Sequence, residues 1–377
     1  MKKRHIFFGF LYKKFCRESA VKEKVIFQRL LGTIVTERIV LMRQKKNFMH
    51  TDLALELQEE LEATQIQDGK KQPENGRGSG GKKGEAEDDT RSFGSGIDVK
   101  KRKRDGGRLK EVVIMVKNEE GERILGKPEG VYITLEGVDL ADNDGEFHEE
   151  MSALLSEHLE KLLGGRKKIL VAGLGNREVT PDALGPLVVQ NLFVTRHLKE
   201  YPFARKMRAS MAIAPGVMAQ TGMETREILR GIIGKTEPEV LVVVDALAAK
   251  TSGRLNKTIQ ICDTGIAPGA GVGNERQEIS EKTMGIPVIA VGVPTVISVP
   301  AMAGDIMQSF LESLGDEKML NIYESWSDQE KYRFMAESLH EELFGLFVTP
   351  KEIDEAVKRI SYTISEGINR VITRKPA

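Results

Sequence analysis

KILVAGLGN (168–176) and VLVVVDALAA (240–249) each open on an unbroken apolar run, and their reading decides the fold. A strand with one face in water alternates apolar and polar residues; a continuous run is covered on both faces, as in the parallel sheet of an α/β domain. Neighbouring segments extend the pattern. Strands are expected at 210–214, 258–262 and 286–293, with helices over 181–201 and 223–234 between them. VVIMV from Glu111 and VYITL (131–135) read as a pair of strands joined through a Gly/Pro turn, and 146–163 reads as an amphipathic helix with Met151, Leu154, Leu155, Leu159 and Leu162 on one face. Helices are expected at 301–314, 328–346 and 351–370. TPKE (349–352) looks like the start of the last of these, with Thr349 as cap, Pro350 in the first turn and Glu352 closing a capping box. The expected fold is α/β, a three-layer sandwich around a mostly parallel sheet, with a small β element before it and a helical C-terminal part.

The chain's 377 residues carry no net charge, yet the two signs are segregated. Residues 1–50 hold thirteen Lys and Arg against Glu18, Glu23 and Glu37, a net charge of +10, which leaves −10 on the remainder. An acidic body is a poor match for phosphate backbones, so no nucleic-acid partner is expected. No apolar run is long enough to cross a bilayer. Cys16 and Cys262 lie far apart without a CxxC pair, which excludes a disulfide framework and suits a reducing, cytoplasmic setting. The leader's apolar stretch, His5 to Tyr12, stops at Lys13 and Lys14, too short for a secretory signal; translation starting near Met42 or Met49 is the plainer account of it. Residues 67–107 are rich in Gly, Lys, Asp, Glu and Ser and read as a disordered insertion, with the basic run 100–104 as solvated linker. The expected division is a basic leader (1–52), the start of the mature chain (53–66), the insertion (67–107) and the α/β domain with its C-terminal helices (108–377).

Several chemistries lack their residues. The chain has no G-x-S-x-G elbow, no phosphate loop, no H-E-x-x-H helix and no third glycine after GLGN, so no metal or cofactor is expected. What remains is carboxylates beyond strand ends, where α/β sheets bind ligands. Asp182, in TPDALGP (180–186), follows the first strand by a short loop, and Asp245 ends the strand 240–245. Asp182 alone could serve only to stabilise a helix start, by about 0.3–1 kcal/mol. Asp245 has no capping role, and a carboxylate ending a buried strand costs stability unless it is paired or hydrated. If the two share a proton across a crevice, one is a base for water and the other an acid for the leaving group, an aspartic-type hydrolytic site.

At these residues the sequence resembles the spore germination proteases, endopeptidases of endospore-forming bacteria that degrade small acid-soluble spore proteins. The runs that carry the resemblance are VAGLGN (171–176), VTPDALGP (179–186), TRHL (195–198), PGVM (215–218), VDALAA (244–249), PGAGVGN (268–274), GIPVIA (285–290), PTV (294–296) and VTPKE (348–352). The resemblance implies a fold similar to hydrogenase maturation proteases, Asp182 and Asp245 as the catalytic pair, and a homotetramer in the spore core. It also implies a zymogen cut at a site like those in its substrates, an acidic residue followed by an apolar residue and Ala; TDLALE (51–56) has that form, placing the cut between Asp52 and Leu53. Arg196, Lys250, Arg254 and Arg276 lie near motif ends and are candidates to hold the acidic substrate side chain. Two other readings remain: a hydrolase or transferase of peptidyl-tRNA hydrolase or phosphorylase type on a related fold, and a binding module without catalysis.

Overall fold

The computed structural model describes residues 88–93, 95–269, 277–315 and 317–375. The chain divides into two compact units, and among the described residues Gln308–Lys331 belong to one and the rest to the other. The first includes a helix at Glu317–Glu324, followed by Trp326 packed on Tyr323 with ring centroids 5.5 Å apart. No helix among the described residues is long and apolar enough to cross a membrane.

The other unit is built on one mixed sheet. Its strands are β1 (Asp88–Phe93), β2 (Ile97–Arg104), β3 (Leu109–Val116), β4 (Gly130–Gly137), β5 (Lys168–Gly173), β6 (Ala209–Ile213), β7 (Val240–Ala249), β8 (Thr258–Cys262), β9 (Val288–Ser298) and β10 (Phe347–Val348). They lie in the order β1-β2-β3-β4-β8-β9-β7-β5-β6, with β10 on β9. The pairs β6/β5, β5/β7 and β7/β9 are parallel, as the continuous apolar runs predict. From β9 through β8 to β1 every pairing is antiparallel, so the expected small β element continues the same sheet.

Helices cover both faces, giving the three layers. On one face Val171, Val242, Val244, Ile261 and Val291 pack against α1 (Gly145–Leu163) and α2 (Ile353–Thr373). Gly367 lets these two helices approach, since a Cβ there would stand 2.7 Å from the Leu155 side chain. On the other face Leu170, Leu241 and Val243 pack with Leu229 of the helix Thr225–Thr236. Between the layers runs Arg208, fully buried, which donates to Glu160 and to the carbonyls of Gly164, Arg166 and Val371.

Several expectations change. The helix expected over 328–346 divides into Asp328–Ser338 and Glu341–Phe344. Residues 88–93 and 97–104, read as part of a disordered insertion, are β1 and β2; Phe93, Ile97 and Val99 pack on Val112, Ile114 and Tyr132, so the alternate residues of a polar segment line a core. Of the remainder, Asp105–Gly107 form a 3₁₀ turn and 67–87 lie outside the described residues. The helix expected over 181–201 divides into a 3₁₀ turn at Thr180–Asp182, a helix at Leu184–Gln190 and a second 3₁₀ turn at Arg196–Leu198. Its second half is drawn off to β6, where Phe193 C=O accepts from Ser210 Oγ at 2.9 Å. TPKE forms no capping box either: Thr349 Oγ1 donates to Thr295 C=O at 2.9 Å, and α2 begins after Glu352 without a side-chain cap.

Candidate active site

The chain leaves β5 for β6 on one side and leaves β7 toward β8 and β9 on the other, so the strand order reverses between β5 and β7, the place where α/β sheets carry their ligand crevice. Both sequence-predicted aspartates stand near the carboxyl end of β5, but Asp245 does not end its strand as expected: β7 continues to Ala249, and Asp245 lies within it, paired with Gly292 of β9. β5 ends with Gly173 beside Val244, and Leu174 N–H donates to Val244 C=O at 2.8 Å, immediately before Asp245. Asp245 is 5% exposed, shares its sheet face with Leu241 and Val243, and accepts from Ala246 N–H at 3.0 Å.

Asp182 is brought to the same end of the sheet by backbone contacts that only glycine permits. Gly175 has φ +105°, and a Cβ there would stand 2.0 Å from Asp182 C=O. A Cβ on Gly185 would stand 2.3 Å from Leu174 C=O and 2.6 Å from Val244 C=O. The helix start after Asp182 thus rests directly on the end of β5 and on Val244 within β7, and the Asp182 carboxylate accepts from Asn176 N–H at 2.7 Å. A third anchor comes from β9. Leu247 pairs with Pro294 and Ala248 with Val296, so Thr295 is an extra residue bulged out of the ladder, and its Oγ1 donates to Pro181 C=O at 2.8 Å. Sequence reasoning did not single out Thr295, although it stands in the PTV run.

The four basic candidates separate. Lys250 follows β7 directly and is buried; Arg254 lies in the turn Ser252–Arg254, with Nη1 3.9 Å from Glu136 of β4. Both stand on the connection that leaves the carboxyl end of β7. Arg196 does not join them: Thr195 Oγ1 donates to Arg208 C=O, which fixes the exposed Arg196 at the amino end of β6, away from the crevice. Arg276 lies outside the described residues, as do Asp52 and Leu53.

Comparison with known proteins agrees with the sequence runs above. The germination protease family profile matches residues 79–319. The chain belongs to the germination protease family. Curated relatives include the germination proteases of Caldanaerobacter subterraneus subsp. tengcongensis, 41% identical over 284 residues, with 73% of this chain and 87% of that protein covered, and of Bacillus subtilis, 37% identical, with 73% and 86% covered. The peptidyl-tRNA hydrolase-like and binding-module readings give way to this family. Among solved structures, the [NiFe] hydrogenase maturation protease HycI from Thermococcus kodakarensis KOD1 is similar over 56% of this chain and 98% of that one, at 19% identity and a TM-score of 0.29, a likeness too low to weigh.

Proposed function

We propose that the chain is an aspartic-type endopeptidase in which Asp182 and Asp245 act as one unit. The observation that carries this is the seating of the Asp182 turn, through Gly175 and Gly185, on the backbone that leads into Asp245. With one proton between them, the ionised carboxylate takes a proton from water as its oxygen attacks the peptide carbonyl carbon. The protonated one gives its proton to the carbonyl oxygen. Collapse of the tetrahedral adduct breaks the C–N bond, the amine leaves with a proton, and the pair regains its single shared proton.

The substrates of this reading are small acid-soluble spore proteins, cut after an acidic residue and before an apolar residue and Ala. Lys250 and Arg254 are the basic groups that suit an acidic side chain there. The enzyme works in the cytoplasm of the spore as a homotetramer, made as a zymogen that cuts itself between Asp52 and Leu53. A tethered substrate-like sequence has a high effective concentration at its own site and holds it until cut.

Purified wild type, Asp182→Asn and Asp245→Asn chains, incubated with an unstructured peptide containing Glu, an apolar residue and Ala in sequence, test the dyad. Wild type is expected to cut after Glu and to acquire Leu53 as its N-terminus, whereas both variants stay full-length and inactive with unchanged circular dichroism. More than a tenth of wild-type activity in either variant would refute the dyad.

A further inference from the structure

β6 ends the sheet order, so among the described residues one of its edges has no neighbouring strand. In a parallel ladder, residues whose N–H and C=O face one side alternate with residues that face the other. Ala209 N–H donates to Lys167 C=O at 2.7 Å, toward β5. Met211 and Ile213 therefore face β5 as well, and Arg208, Ser210, Ala212 and Ala214 face outward. At the start of the strand the outward groups are occupied: Thr195 Oγ1 donates to Arg208 C=O and accepts from Ser210 N–H at 2.9 Å. Further along, neither Ala212 nor Ala214 has an outward backbone partner among the described residues, and Ala214 is exposed. The edge is thus closed at its amino end and open toward its carboxyl end, where Ile213 lies beside Ala172 of β5.

The flanks of this edge have a definite chemistry. At its open end the chain returns to the crevice, since Gln220 Nε2 donates to Asn176 Oδ1 at 3.1 Å, and Met218 stands 52% exposed beside it. At its closed end Tyr201 and Phe203 are both exposed with ring centroids 5.8 Å apart. Arg196, Lys199, Arg205 and Lys206 are exposed around them, against Glu200 as the one acid from 193 to 208. Positive charge and aromatic surface at the closed end, and a link to the candidate catalytic loop at the open end, suit an extended acidic polypeptide lying along the edge.

We propose that the open edge of β6 takes an extended, acidic segment of the polypeptide substrate as an added strand, outside the crevice that holds Asp182 and Asp245. This rests on the peptidase reading of that crevice. Strands are spaced by about 4.8 Å, so an added strand lies about 14 Å from β7, the reach of about four extended residues. The segment bound is therefore beside the cut rather than across it. Main-chain hydrogen bonds hold it, largely independent of its sequence.

Two synthetic peptides and one edge variant test the proposal. One peptide, of about eight residues, holds only the Glu–apolar–Ala site; the other, of about 24, adds unstructured acidic flanks long enough to span the estimated distance. With wild type, KM for the long peptide is expected to be about ten-fold lower at similar kcat, the effect of one or two added backbone hydrogen bonds. Ala212→Pro removes an outward N–H while sparing the β5 ladder, as edge positions allow. It should raise KM for the long peptide about ten-fold and leave the short one unchanged. Independently of turnover and of that variant's folding, amide exchange at Ala212 and Ala214 should slow when the long peptide is added to Asp245→Asn. Equal KM for both peptides with unchanged exchange overturns the edge site. Slowed exchange with neither peptide cut by wild type keeps the edge site and overturns the peptidase reading.

Discussion

Arg208 is among the largest fully buried side chains among the described residues, and every polar contact it makes joins elements distant in sequence. Removing one partner of a buried ion pair typically costs about 3–5 kcal/mol, because the other charge and its neighbouring carbonyls are left without partners. Arg208→Ala should therefore lower stability by about that amount, read as a shift in the urea midpoint without a change of slope. A loss below about 1 kcal/mol would mean that water replaces the guanidinium. A second buried group links residue chemistry to pH. Glu111, 3% exposed, lies in β3 with His158 Nε2 3.1 Å from Oε1 and Arg104 Nε 3.1 Å from Oε2. Burial pushes its carboxyl up, but His158, Arg104 and Arg102 together outweigh burial and hold it below the usual carboxylate range. A depressed carboxylate contributes stability that is complete above the unfolded-state value, about 4.3, and is lost as pH falls through the lower folded value. Wild type should consequently lose its thermal-midpoint advantage over Glu111→Gln below about pH 4; an advantage that persists undiminished into stronger acid would contradict this linkage.

Among the elements, the GLGN loop, the bulge of β9 and the helix start at Leu184 determine where Asp182 stands. Gly185→Ala places a methyl 2.3 Å from Leu174 C=O, backbone that has no rotamer to yield, so the helix start must lift away from β5 and β7. A displacement of about 1 Å in a catalytic group costs on the order of a hundred-fold in rate. Gly185→Ala should show that loss in kcat, with the strand signal in circular dichroism retained. Thr295→Val keeps the shape but removes the hydroxyl bonded to Pro181 C=O, and a smaller loss, about ten-fold, is expected. Full activity in Thr295→Val would show that the bulge holds the Asp182 turn by packing alone.

For the molecule as a whole, the antiparallel extension is part of the structure rather than an appendage. Deleting 88–107 removes β1 and β2 and uncovers Val112, Ile114 and Tyr132, which pack against Phe93, Ile97 and Val99. Each large apolar side chain fully buried contributes about 1.5–3 kcal/mol, so the deletion should depress the thermal midpoint by well over 10 °C or prevent folding. A chain lacking 88–107 with an unchanged midpoint would show that the β3/β4 pair is self-sufficient.

By itself the sequence determined the central strands and singled out the two aspartates on which the proposed function rests. Continuous runs such as VLVVV leave no face for water, and a carboxylate ending such a run has few structural uses. Local pattern carries that information because it depends on what each residue loses in leaving water. The tertiary structure decided the rest. Ile97 and Val99 line a core only because β3 lies beside them, although the surrounding KKRKR reads as solvated. The helix expected over 181–201 stops early because β6 needs partners for its outward backbone groups, which Thr195 supplies. The same demand draws Arg196 away from the crevice, and the TPKE cap is lost because Thr349 bonds β9 instead. In each case a partner on a distant strand, apolar for Ile97 and Val99 and hydrogen-bonding for Thr195 and Thr349, overrode a preference set by neighbours in sequence, and strand order, which decides such partners, is a property of the folded sheet alone.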